Sequence, residues 1–181
     1  MKTILCAMLF LLFSFAGVFA QEKANAAGQF QADLQKTEML KLDKMIGKWT
    51  GEGWIQQGKN RDEFTGTENV QKKLDGLALL VEGRFTAKNE PARVIHETLA
   101  VLTYNPRTNI YDFNTFLANG SNGKFILNTT ETGYEWGLNF PGSKILYTIT
   151  IKNGMWNEVG KMSRDEGKTW FQFFEMNLKK V

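Results

Sequence analysis

The chain has 181 residues, with 22 Lys and Arg against 19 Asp and Glu for a net charge of +3. Charges this close to balance argue against a nucleic-acid partner or a polybasic membrane surface. Fourteen Phe, five Trp and four Tyr exclude a disordered chain and suffice to line a large core or a pocket.

Residues 1–20, MKTILCAMLFLLFSFAGVFA, carry Lys2, an apolar run from Ile4 to Phe15, and Val18-Phe19-Ala20 before Gln21. This pattern predicts a secretory signal peptide with small residues at its cleavage site, and hence a periplasmic or secreted protein. The run is too short for a spanning helix and nothing later is apolar for long enough, so no stable membrane insertion is expected. Cys6 lies ahead of the apolar core rather than at a cleavage site, which argues against a lipoprotein anchor. It is the only cysteine, so the mature chain has no disulfide, thiolate nucleophile or cysteine metal site. The remaining residues, about 160, fit one domain.

Residues 21–33, QEKANAAGQFQAD, are small, polar and aperiodic, and read as a flexible leader. From Leu34 the pattern changes. Leu34, Met39, Leu40, Leu42, Met45 and Ile46 recur near helical spacing, and Gly47 follows as a stop, which predicts one short amphipathic helix.

Beyond Gly47, short segments rich in aromatic and β-branched residues alternate with turn chemistry about every ten residues. The expected strands are 48–57, 63–74, 77–87, 94–104, 110–118, 124–130, 133–140, 144–152, 155–163 and 169–179. The turns are marked by Asp75-Gly76, Asn105-Pro106, Asn122-Gly123, Thr132-Gly133, Pro141-Gly142, Asn153-Gly154 and Glu166-Gly167. Asn-Gly is a strong hairpin signal because both central residues of its preferred turn need positive φ. Hairpin-length connections make each strand antiparallel to the next, and such a meander removes its exposed edges by closing. The expected architecture is all-β: a roughly ten-stranded antiparallel up-and-down barrel over 34–181 with one short N-terminal helix.

The stretch IGKWTGEGW, residues 46–54, resembles the G-x-W entry of lipocalins and other calycins. Its G-x-W-x-G-x-G spacing resembles the opening of nitrobindin-like barrels and of a family of bacterial lipocalin-like domains of unknown function. That second family is also resembled in Gly83-Arg84-Phe85, in Tyr104-Asn105-Pro106 and in SRDEGKTW, residues 163–170. The likeness runs in order over 45–181. It implies a calycin-like barrel and inclines Arg84 toward the interior. Nitrobindin-like proteins bind haem through a histidine on the last strand; TWFQFFEMNLKKV has none, and His96 is the only histidine. Met176 reads as core filling, so no cofactor is expected.

SRDEGKTW also matches the Asp-box string of sialidase-type β-propellers. A propeller repeats its signature in at least about four blades, and here it occurs once. The string instead predicts a hairpin: Asp165 capping turn amides, Gly167 reversing the chain, and Trp170 opening the last strand with its ring packed inside. Trp49 and Trp170 are assigned to core closure. Gly51 and Gly53, inside the first strand, permit sharp coiling or a close approach of the helix.

His96 and Glu97 are the one adjacent acid–base pair with histidine, and neighbours on a strand face opposite sides unless a bulge intervenes. Glu82 and Arg84 share a face, interior or exterior. With one histidine and no mature cysteine, a zinc, copper or iron site is not expected. The sequons at Asn119 and Asn128 read as incidental.

The reading that results is an exported lipocalin-like barrel that binds a small, mostly apolar ligand non-enzymatically. Trp54, Arg84, His96, Tyr104, Trp136, Tyr147 and Phe174 are the expected ligand-binding residues, and no catalytic or metal residue is assigned. Two alternatives stay open: a barrel enzyme (isomerase, hydrolase or peroxidase-like) using His96 with Arg84 or Glu82, and a filled barrel acting as a structural or interaction protein. The partner expected is a small hydrophobic molecule, not nucleic acid, and the oligomeric state is left open.

Overall fold

The computed structural model describes residues 28–181. The signal peptide expected over 1–20 and residues 21–27 of the expected leader lie outside the described residues. Residues 28–39 form helix α1, so the helix takes in 28–33, the end of the segment expected as a flexible leader. Side-chain bonds spanning one turn support that segment: Gln29 Nε2 donates to Asp33 Oδ1 at 2.9 Å, and the Thr37 hydroxyl to the Asp33 carbonyl at 2.9 Å. A 3-10 segment, Leu40–Met45, continues the helix. Met39, Leu42 and Met45 are buried, three residues apart, forming the single apolar face.

Ten strands follow: β1 Gly47–Gln57, β2 Asn60–Lys73, β3 Ala78–Ala87, β4 Glu90–Asn105, β5 Ile110–Leu117, β6 Asn122–Thr129, β7 Gly133–Phe140, β8 Ser143–Lys152, β9 Met155–Ser163 and β10 Phe171–Lys180. Each pairs antiparallel with the next, and β1 pairs with β10 from Trp49↔Lys180 to Ile55↔Phe174, closing the barrel. This is the architecture expected from the turn spacing. Asn153 and Gly154 have φ of 53° and 72°, as the Asn-Gly signal predicts. Asn122-Gly123 is not a turn: both residues pair with β5, and the reversal falls at Gly120, φ 87°.

The helix plugs one end. The Tyr111 hydroxyl donates to the Glu38 carbonyl and to its carboxylate, the Tyr134 hydroxyl to the Lys41 carbonyl, and Gln35 Nε2 to the Leu77 carbonyl. Trp49 Nε1 donates to the Met45 carbonyl at 2.8 Å, which fastens the helix end to the start of β1. Trp49 is 1% exposed and meets Trp156 edge to face at 5.5 Å, so it closes the core as expected.

Trp170 does not. It is 39% exposed, its indole donates to the Gly167 carbonyl at 3.0 Å, and its ring lies beside Gly167. The reason is positional: Trp170 precedes β10 and belongs to the turn. The rest of the string behaves as a hairpin cap. Asp165 Oδ1 accepts from the Thr169 amide at 2.8 Å and from the Ser163 hydroxyl at 2.7 Å, and Oδ2 accepts from the Thr169 hydroxyl at 2.7 Å. The Gly167 amide donates to Ser163 Oγ at 2.8 Å, while Glu166 and Gly167 take φ of 62° and 96°.

Candidate ligand cavity

Strand alternation decides what enters the barrel. On β1 the inward series is Trp49, Gly51, Gly53, Ile55 and Gln57; on β2 it is Phe64, Gly66, Glu68 and Val70; on β9 it is Trp156, Glu158 and Gly160. The glycines of β1 leave no room for side chains: a Cβ on Gly51 would stand 2.1 Å from the Asn177 carbonyl, and one on Gly53 2.6 Å from the Phe64 ring. The close approach is thus to β10 and to Phe64, not to the helix.

Inside lies a cavity of about 340 Å³, within the range of small-molecule pockets. It extends from Met45, beneath the helix, to Gln57 and His96 at the far end, where both are exposed. Its wall is mostly apolar, with an aromatic cluster at its centre. Trp136 stacks on Tyr147 at 4.2 Å and 6°, Phe113 meets Trp136 edge-on at 5.1 Å, and Phe174 meets Tyr147 at 5.7 Å.

The two carboxylates in this wall are deeply set. Glu68 and Glu158 are each 8% exposed. Glu158 Oε1 accepts from Trp136 Nε1 at 3.1 Å, whereas Glu68 Oε2 and Trp156 Nε1 are buried without a partner. Desolvation and the nearby Glu158 push the Glu68 carboxyl up to about 8. Desolvation raises Glu158 to about 7, against the indoles of Trp136 and Trp156. Trp156 Nε1 lies close enough to act on that charge but outside hydrogen-bonding geometry. The Tyr147 phenol is raised by burial and by Glu158, and the His96 imidazole, although the residue is exposed at the cavity mouth, is lowered by the desolvation of its cavity-facing side.

Of the expected binding residues, His96, Trp136, Tyr147 and Phe174 line the cavity. His96 faces in with Thr98, Ala100 and Leu102, and a bulge adds its neighbour: Phe85 pairs with His96 but Thr86 with Val94, leaving Ile95 unpaired, so Ile95 and His96 both reach the cavity. Glu97 points out to Arg84. Arg84, expected toward the interior, lies on the outer wall instead, its side chain 56% exposed and its Nε 3.6 Å from Glu97 Oε1. The phase of β3 explains it: Leu79, Val81, Gly83 and Phe85 point in, and Glu82 and Arg84 point out. Trp54 is also outside, beneath Arg61 at 3.8 Å, because the inward phase of β1 belongs to the glycines. Tyr104 is buried at the plugged end, its ring tilted 59° against Tyr111 at 5.1 Å and its hydroxyl donating to Asn109 Oδ1 at 3.0 Å, away from the cavity.

Glu68 and Glu158 were missed. Both sit in phase with inward residues, Phe64 and Val70 for one and Trp156 and Gly160 for the other, and that phase was the available signal. The inward series of β10 is Phe174, Met176 and Leu178. It contains no imidazole, so these residues do not fit a haem held from the last strand. Among the described residues no cluster of three His, Cys, Asp or Glu side chains could hold a metal ion.

A search of protein-family models finds no match, and no curated protein matches. Among solved structures, the crystal structure of Rv2717c from M. tuberculosis matches with a TM-score of 0.61 at 14% identity, over 79% of this chain and 96% of that one. At that identity the likeness establishes the fold: a closed ten-stranded antiparallel barrel, consistent with a calycin-like domain.

Proposed function

We propose that the protein is an exported, lipocalin-like barrel that holds a small, mostly apolar ligand without transforming it. The observation that carries this reading is the cavity itself: about 340 Å³, lined by aromatic and aliphatic side chains, reaching exposed residues at one end. A wall of that kind, with a few fixed polar groups, is the usual form of a small-molecule site. Apolar contact then supplies most of the affinity, at roughly 25 cal/mol per Å² buried before the costs of association.

Export, to the periplasm or beyond, is supported by the leader in residues 1–20. Membership of the bacterial lipocalin-like domains related to nitrobindin-like barrels is supported by the G-x-W-x-G-x-G entry and the motifs after it. The enzyme alternative required His96 to meet Arg84 or Glu82, which lie on opposite sides of the wall from it. The filled-barrel alternative is disfavoured by the cavity.

Native mass spectrometry of the protein purified from its own source, followed by extraction, tests the reading. A reproducible apolar small molecule at stoichiometric amount is expected. An empty protein that also fails to take up a fluorescent apolar probe would overturn it.

A further inference from the structure

Among the described residues, two acidic side chains line the cavity and no basic side chain other than His96 enters its wall. Glu68 comes from β2 and Glu158 from β9, with β1 and β10 between them in the wall, near enough for the charge of one to act on the other, and each is more than nine-tenths buried. Isolated carboxylates do not persist in such a setting. They are paired with a cation, or they hold protons that a cation would displace. Two polar atoms in the same wall remain open: Glu68 Oε2 accepts no hydrogen bond, and the Trp156 indole N–H donates none. In a folded protein an orphaned buried polar atom calls for a partner.

The geometry points to a ligand with a protonated amine head: an ammonium seated between Glu68 and Glu158, with its apolar body running along the aromatic wall toward His96 and Gln57. This rests on the reading of the barrel as a small-molecule carrier and names the class of molecule carried. An ammonium has up to three N–H donors and one positive charge, which answers both carboxylates at once. The Trp136 indole already donates to Glu158, and the Trp156 indole stands ready to do so as that carboxylate becomes fully charged. Once both glutamates are ionised, at about pH 8 and above, a carboxylate or phosphate would bring a third negative charge into a wall whose described residues supply no facing Lys or Arg, and an alcohol would leave the two charges uncompensated.

Association follows a defined proton balance. An ammonium that enters while Glu68 and Glu158 still hold protons displaces at least one of them to solvent. The titratable groups facing the cavity are Glu68 on β2, His96 on β4, Tyr147 on β8 and Glu158 on β9. Over neutral pH the two glutamates dominate, since His96 is held below its usual range and Tyr147 above.

The test compares n-hexylammonium, n-hexanol and hexanoate by calorimetry between pH 6 and pH 8.5, in two buffers of different ionisation enthalpy. Hexylammonium should bind at least tenfold tighter than hexanol at pH 8, with hexanoate weakest, with proton release at pH 6.5, and with a preference that widens as pH rises. The neutral isosteres Glu68→Gln and Glu158→Gln should each cut the amine preference severalfold while leaving hexanol affinity within twofold. Folding of both variants is checked by near-ultraviolet circular dichroism. Equal binding of amine and alcohol, or an amine preference that survives both substitutions, overturns this inference and leaves the carrier reading intact. If none of the three probes binds, both fall.

Discussion

Gly83 lies directly across the β2–β3 pair from Glu68, and a Cβ placed on it would stand 2.6 Å from Glu68 Oε1. The absent side chain is what lets a carboxylate lie flat against the wall. Gly83→Ala should therefore act through Glu68, at a cost on the order of 1–3 kcal/mol for overpacking. In a Glu68→Ala background the same substitution should be nearly neutral. Denaturant unfolding of the four proteins in the cycle measures this coupling, and additive effects would refute it. Gly51→Ala, whose new methyl meets backbone instead, should cost more and find no such rescue.

The raised glutamates make stability fall with pH. Glu68 and Glu158 titrate near 4.5 when unfolded and near 8 and 7 when folded, so the native state binds more protons between those limits. Stability is highest below about pH 4.5 for this pair and declines up to pH 8, by about 1.4 kcal/mol per pH unit for each proton retained. Thermal melts at pH 5.5 and 8 should show the lower midpoint at pH 8. Glu68→Gln with Glu158→Gln should flatten the difference.

Asp165 works in the opposite direction. Bonds from the Thr169 amide and hydroxyl and from Ser163 hold its carboxylate down to about 2, below its unfolded value of 3.8. Its contribution is present above pH 3.8 and is lost as pH falls through 2. Asp165→Ala should lower the melting midpoint at pH 7 and leave probe affinity per folded molecule unchanged, as measured by melts and titration of the same preparation.

Arg84 and the cavity separate cleanly. Its pair with Glu97 is exposed on both sides, so Arg84→Ala should change stability by less than about 1 kcal/mol and hexanol affinity not at all. Thr115→Trp, which projects bulk into the cavity from β5, should abolish hexanol binding while far-ultraviolet circular dichroism stays that of the barrel.

The turns and the ten strands could be read from the chain because their signals are local: Asn153-Gly154, Gly142 and Gly167 each carry the positive φ that their positions require. The face of each strand was harder to read. On β3, apolar residues occupy both phases near its start, with Leu79 and Leu80 both partly or wholly buried, and only the neighbours across the sheet decide that Arg84 points out. On β4 His96 shares its phase with Thr98, Ala100 and Leu102, but Ile95, Leu99 and Val101 make the other phase apolar too, and only the pairing with inward-facing Phe85 decides between them. Glu68 and Glu158 were passed over because charge ordinarily marks a solvent face, and their in-phase aromatic and glycine neighbours are what reverse that rule.

The pairing of β1 with β10 carries one more consequence. Every other pairing joins strands adjacent in sequence, so those hairpins form by short searches along the chain. The last seam joins residues more than a hundred positions apart, and it bears the larger loop-closure entropy. A chain emerging N-terminus first would hold the edge of β1 open until Phe171–Lys180 arrives, which makes that final segment the latch of the molecule. A chain ending before Phe171 should self-associate through its two bare edges, whereas permuted termini placed at the Asn153-Gly154 turn should bring β10 and β1 close in sequence and move the slow seam to β8 and β9.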